Sequence, residues 1–325
     1  RDIHKTRTRR TLKLRCVFLE TNRAAFAKLK QFVSGVTDVE IEPQNKALED
    51  AVPLILKFVK NGGSRSFPFI FIDPTGWTGF EMAAIAPLLR LNPGEVLINF
   101  MTSHIRRFID SPERMTQDSF VRLFGSQDFR AKSKGLSERL REEAAVNEYI
   151  ENVKRTGNYS HTSSAIVLHP EINRTAFHLI YATRDATGIE VFKEAEKQAM
   201  PVMEKVRGEA QKRAREDRTG QGELFGGEVL HDPAYYTSLR SRYLVKAKDM
   251  VLHFVQSKHH VTYDEVWSLA LSVSLTWEPD LKEWIRDWAR EGLLEIKGMR
   301  AGQRVPQRGE NIVLMWKATT ADANG

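Results

Sequence analysis

At 325 residues and 37.2 kDa, with 41% hydrophobic and 28% charged residues, the chain is long enough for two domains and holds no apolar run long enough to cross a bilayer. Lys and Arg number 49 against 42 for Asp and Glu, a mild basic excess of +7 that permits attraction to nucleic acid without requiring it. A single cysteine, Cys16, excludes an intramolecular disulfide and any multi-cysteine metal site, and nine scattered histidines show no metal spacing, so no metal is expected. Nothing resembles a secretory signal, and a reducing cytoplasm is the expected compartment.

From Leu12 to Ile109 strand-like and helical patterns alternate. Leu14 to Leu19 reads as a strand, Arg23 to Val33 as a helix, Val39 to Ile41 as a short strand, and Leu48 to Val59 as a helix stopped by Asn61-Gly62-Gly63. Phe67 to Ile72 reads as a buried strand, Phe80 to Leu91 as a helix, Glu95 to Phe100 as a second buried strand and His104 to Ile109 as the next helix. Apolar strands alternating with helices predict an α/β domain with a parallel sheet covered on both faces.

Residues 111–160 break the rhythm with a polar helix around Glu138 to Val153, read as a helical insertion. Strands Ser163 to Leu168 and Ala176 to Thr183 then close the sheet at its far edge, and Ile189 to Arg213 is helical. The expected domain is 1–214. A linker spans 215–240, where Gly220, Gly222 and Gly226-Gly227 cluster. Beyond it, helices Ser241 to Gln256, Thr262 to Ala270 and Glu278 to Glu291 precede a hairpin of Leu293 to Lys297 and Asn311 to Trp316. That order predicts an α+β winged helix over 241–318, with a tail at 319–325.

Three strand ends carry polar groups suited to a cofactor crevice, because ligands bind outside the carboxyl ends of strands in open α/β sheets. Glu20 can accept two hydrogen bonds from a ribose, or serve as an acid favoured at a helix N-terminus. Gln44-Asn45 follows the next strand, where an amide can read an adenine edge. Asp73-Pro74-Thr75-Gly76 ends a third strand, as an active-site address or as turn punctuation. All three are expected on one sheet.

With the motifs Val17-Phe18-Leu19-Glu20-Thr21-Asn22, Phe71-Ile72-Asp73-Pro74-Thr75-Gly76, Glu95-Val96-Leu97-Ile98-Asn99-Phe100 and His178-Leu179-Ile180-Tyr181-Ala182-Thr183-Arg184, residues 12–210 resemble the three-Cys-motif partner family. The resemblance implies a Rossmann-type, methyltransferase-like domain working beside a radical-SAM-like protein with a three-cysteine motif. It implies that Glu20 binds the ribose of S-adenosylmethionine, that Gln44 and Asn45 lie beside the adenine, and that Asp73 and Pro74 face the transferred group. One departure stands out: no strand with a Gly-rich turn precedes residue 20, and its place would lie between the Leu14 and Phe67 strands. Either a segment precedes Arg1, which the start at Arg rather than Met favours, or the site is degenerate.

The expected wing holds Lys297, Arg300, Arg304 and Arg308, suited to phosphate, whereas the helix before it mixes acids with bases and suits a protein partner equally well. Gln221-Gly222-Glu223-Leu224-Phe225 resembles the short peptide that docks on bacterial sliding clamps. Two functions follow: a methyltransferase-like enzyme acting on or near DNA or RNA, and a non-catalytic adaptor that uses its α/β domain as a binding platform.

Overall fold

A computed structural model describes residues 12–108, 111–127, 131–132, 134–219 and 233–317. The elements run β1 (Arg15–Leu19), α1 (Arg23–Ser34), β2 (Glu40–Gln44), α2 (Leu48–Asn61), β3 (Phe69–Ile72), α3 (Met82–Leu89), β4 (Glu95–Phe100), α4 (Thr102–Phe108), α5 (Arg114–Phe124) and α6 (Glu138–Gly157). They continue β5 (His161–Leu168), β6 (Thr175–Thr183), α7 (Ala186–Thr219), α8 (Ala234–Lys258), β7 (His260–Thr262), α9 (Tyr263–Leu271), α10 (Glu278–Arg290), β8 (Leu294–Lys297) and β9 (Val313–Trp316).

Local chemistry sets several boundaries. The Asn22 side chain caps α1 by accepting from the Ala25 amide at 3.0 Å. Thr262 and Glu265 form a reciprocal capping box that opens α9. Gly125, at φ 68°, ends α5 in the left-handed region where glycine carries no Cβ penalty.

Among the described residues the strands form a mixed α/β arrangement of three sheets. β1 and β2 pair in parallel; β3, β4, β6 and β5 form a second sheet in that order; β7, β9 and β8 form a third. β3 and β4 are parallel, whereas β6 runs antiparallel to both β4 and β5. The expectation of a purely parallel sheet is thus corrected. Only residues 169–174 join β5 to β6, too short for the crossover that parallel neighbours need.

The expectation that Glu20, Asn45 and Asp73 end strands of one hydrogen-bonded sheet is corrected too. β1 and β3 do not pair, so the first two residues belong to the two-stranded sheet and Asp73 to the four-stranded one. Nor is the Phe67 strand buried on both faces. Ile72 is 3% exposed, but Phe67, Phe69 and Phe71 are 57%, 55% and 54% exposed.

The core of the four-stranded sheet lies on the Ile72 face. There Ile72, Val96, Ile98, Phe100 and Ile180 pack under Ile85, Leu89, Phe120, Phe124 and Tyr149 from α3, α5 and α6. Burying each large apolar side chain contributes roughly 1.5–3 kcal/mol before entropy is subtracted.

On the opposite face, Tyr181 and Ile189 join a second core made mostly by α8, α9, α10 and the β7-β9-β8 sheet. The C-terminal elements are therefore welded to β6 and α7. Polar contacts reinforce the seam: Ser163 Oγ donates to Leu271 O at 2.8 Å, and His161 and Ser268 lie 2.8 Å apart. Within it, buried Lys193 and Glu196 of α7 form an ion pair at 2.8 Å. Lys193 also donates to Val273 O at 2.8 Å, while Glu196 accepts from the Leu275 amide at 3.0 Å and from Trp277 Nε1 at 3.2 Å.

α7 continues to Thr219, past the expected helix end at Arg213, and α8 begins at Ala234, before the expected Ser241. Lys212, at the expected helix end, pairs one turn on with Glu216 at 3.9 Å on the extension of α7, which takes in the first residues of the expected linker.

Candidate functional site

At the carboxyl end of β3, Asp73 accepts a hydrogen bond from Asn99 Nδ2 at 2.6 Å. Asn99 lies on neighbouring β4, one residue beyond the Ile72–Ile98 pair. A carboxylate only accepts, so this bond fixes the orientation of the Asn99 amide. The other end of that amide, Oδ1, is buried and has no hydrogen-bond partner among the described residues. Asp73 itself is exposed. One exposed acceptor thus stands beside one unsatisfied acceptor, a pair that suits a ligand rich in N–H donors.

The loop after Asp73 is anchored rather than free. Trp77 Nε1 donates to Ser119 Oγ at 3.0 Å, and its ring stacks on Phe120 at 5.7 Å and leans on Phe108 at 5.2 Å. Glu81, just before α3, pairs with Arg122 at 2.6 Å. Gly79, at φ 86°, lets the chain turn between these ties. The helical insertion therefore sets where Asp73 and Pro74 sit.

Behind the strand ends lies a buried polar layer. Glu142 of α6 receives Arg106 at 3.4 Å, yet burial raises its carboxyl above the usual range, an effect the Arg106 charge only partly offsets. His178 lies opposite Phe100 across the β4–β6 ladder. Burial lowers its pKa to about 4, so it is neutral at pH 7.

Glu20 and Asn45 come together at the carboxyl ends of β1 and β2. The Asn45 amide donates to the carbonyls of Glu20 and Thr21 at 2.6 and 3.1 Å, and the Glu20 amide donates to Gln44 O at 3.1 Å. Glu20 Oε1 accepts from the Asn22 amide at 2.7 Å, the local helix-start role, which leaves Oε2 for an outside donor. Gln44 Nε2 is turned to Glu42 at 2.9 Å. Asn45 thus spends its donor on holding the two strand ends.

The basic wing residues have acidic company. Lys297 lies 3.7 Å from Glu295, Arg300 is 3.2 Å from Glu310, and Arg308 is 2.8 Å from Glu190 of α7 while resting over the Trp267 ring at 5.2 Å. The Gly309 amide donates to Asp264 at 3.0 Å, holding this hairpin against α9. Arg308 is therefore a brace between wing and α7, and Arg304 is exposed. The clamp-like peptide Gln221–Phe225 falls outside the described residues.

Sequence reasoning missed Asn99 and Trp77 as parts of the site. Asn99 is the one amide in the strand Glu95–Phe100 beside Asp73, and Trp77 the one aromatic flanked by Gly76 and Gly79. Glu142 and His178 carried no sequence signal, because their burial depends on helices far along the chain.

No protein-family model, curated protein or solved structure matches the chain.

Proposed function

We propose that the chain carries a Rossmann-type, methyltransferase-like domain that binds S-adenosylmethionine, joined to a winged helix, and acts on or near nucleic acid with a radical-SAM-like partner. One observation carries this proposal, the strand order. The two sheets, β1-β2 and β3-β4-β6-β5 with β6 alone reversed, have the strand orders of the two halves of a methyltransferase-like sheet, and the proposal sets β1 and β3 on either side of one central place. In that arrangement chain order moves one way from β1 to β2 and the other way from β3 to β4, which makes the central place a switch point. Glu20 and Asp73, at the carboxyl ends of β1 and β3, would then border it, with Asn45 one strand further out, where such sheets hold nucleotides.

The residues fit the cofactor in chemistry. Glu20 Oε2 is an acceptor for ribose hydroxyls, and Gln44 and Asn45 border the adenine side. The sulfonium supplies an activated methyl group, so the protein's task is chiefly in-line placement. Asp73, steadied by Asn99, accepts a hydrogen bond from an acceptor amine and aims its lone pair; Pro74 shapes the rim. The C-terminal order α8-β7-α9-α10-β8-β9 with sheet order β7-β9-β8 supports the winged helix.

In full-length protein, Asp73→Ala is expected to lower methyl transfer from labelled S-adenosylmethionine about 100-fold or more, with cofactor affinity changed less than about threefold. Unchanged transfer removes Asp73 from the mechanism.

A second reading, a non-catalytic adaptor, is favoured by the engagement of the Asn45 donor with backbone and by the acidic partners around the wing. Loss of transfer together with loss of all cofactor binding in wild-type protein selects it.

A further inference from the structure

α7 has an inward face and an outward face of different chemistry. Lys193, Glu196, Met200 and Arg207 share the inward side and are buried. At about 100° per residue, Val191, Ala195, Val202 and Val206 fall within roughly 60° of one another on the outward side. There Val191 is 66%, Val202 61% and Val206 47% exposed, and Ala195 is exposed as well. Single exposed apolar side chains are ordinary, but a continuous apolar stripe marks a surface that another surface covers.

Charge lies along one edge of this stripe. Glu194 and Lys205 are both exposed, and they stand on the same flank, about 20° apart around the helix axis. Glu194 accepts a hydrogen bond from Gln198 at 2.8 Å, which holds it along the helix surface.

The spacing is self-complementary. Val191 and Val206 are equally far from the midpoint between Gln198 and Ala199, and so are Ala195 and Val202. Glu194 and Lys205 are centred one residue further on. A two-fold axis through that midpoint, perpendicular to α7, sets Val191 against Val206 of a second copy and Ala195 against its Val202. The same axis brings Glu194 opposite Lys205 twice, whereas parallel pairing in register opposes like charges.

We propose that α7 is a homodimer interface, in which two copies of the chain pair their α7 helices antiparallel across the Val191–Val206 stripe, with Glu194 of each facing Lys205 of the other. At 1.5 Å per residue the stripe is about 22 Å long, shorter than a standard interface requires. The dimer is therefore weak, with a dissociation constant on the order of 10–100 μM. Neither the cofactor chemistry nor the winged helix enters this assignment, so it stands or falls apart from the proposed function.

Sedimentation velocity of the full chain over about 1–500 μM tests this, with a monomer–dimer equilibrium as the expected result. Val202→Lys is expected to sediment as a monomer throughout, with an unchanged unfolding midpoint because the position is exposed. Glu194→Lys alone and Lys205→Glu alone are each expected to weaken dimerisation about tenfold or more, since each variant opposes like charges twice. An equimolar mixture of those two variants is expected to dimerise within about threefold of the wild-type constant, because each chain supplies the charges the other lacks. The inference is overturned by a wild-type monomer at every concentration, the outcome if a different protein covers the stripe. It is also overturned by a dimer that survives Val202→Lys, or by a mixture that pairs no more tightly than its components.

Discussion

Glu196→Ala is expected to destabilise the protein by about 3–5 kcal/mol, measured as the shift in urea unfolding free energy, because it strands a buried cation. Lys193 and Glu196 are both buried and 2.8 Å apart, and Glu196 also receives the Leu275 amide and Trp277 Nε1. Removal of the carboxylate leaves the ammonium with only the Val273 carbonyl and leaves two N–H donors without their acceptor. Burial already lowers the Lys193 pKa, against the raising influence of Glu196, so the variant ammonium is pushed further toward the neutral amine. The double variant Glu196→Leu with Lys193→Met is expected to recover part of the loss, because an apolar pair leaves no unpaired charge. Full recovery is not expected, since the Leu275 and Trp277 donors remain unsatisfied. A cost below about 1 kcal/mol for Glu196→Ala would show that the seam between α7 and the C-terminal elements is open to water.

Acidification is expected to remove about 3 kcal/mol of stability between pH 7 and pH 4 through His178 alone. Its pKa falls from 6.5 to about 4 on burial beneath the helices that cover β4 and β6. Above pH 6.5 the imidazole is neutral in both folded and unfolded chains and contributes no slope. As pH falls from 6.5 to about 4 the unfolded chain takes up the proton first, so stability falls with it; below about 4 both states are protonated and this slope ends. Glu142 acts in the opposite sense, because its raised pKa makes the folded state bind its proton first. The His178→Leu variant isolates the histidine: urea unfolding measured at pH 7 and pH 4 is expected to show a smaller acid loss by about 3 kcal/mol. An identical acid loss in both proteins would mean that His178 is protonated without cost.

Much of the architecture is legible in local patterns. The Glu95–Phe100 strand is apolar because Val96, Ile98 and Phe100 enter one core while Leu97 meets the other. Helix Glu278–Arg290 is readable because Leu281, Trp284, Ile285 and Trp288 repeat at helical spacing. Where apolar content was taken for burial, the sequence misled: Phe67, Phe69 and Phe71 look like core, and only strand pairing shows that their face is uncovered. The reversal of β6 was equally invisible in its residues, since antiparallel pairing follows from the length of the 169–174 connection. At the site, Asp73 was marked by its turn, but its partner Asn99 is 26 residues away and its anchor Ser119 is 42 residues beyond Trp77. The wing basics were readable as charge, whereas the bracing of Arg308 by Glu190 depends on how α7 docks.

The proposed S-adenosylmethionine crevice lies between the carboxyl ends of β1 and β3. Calorimetric titration of S-adenosylmethionine into the full-length protein tests it most directly. The predicted result is a saturable one-site heat that weakens at least tenfold in Glu20→Ala and is accompanied by slowed exchange at Glu20, Asn45 and Asp73. Absence of heat, with no change in exchange at those three residues, would contradict it.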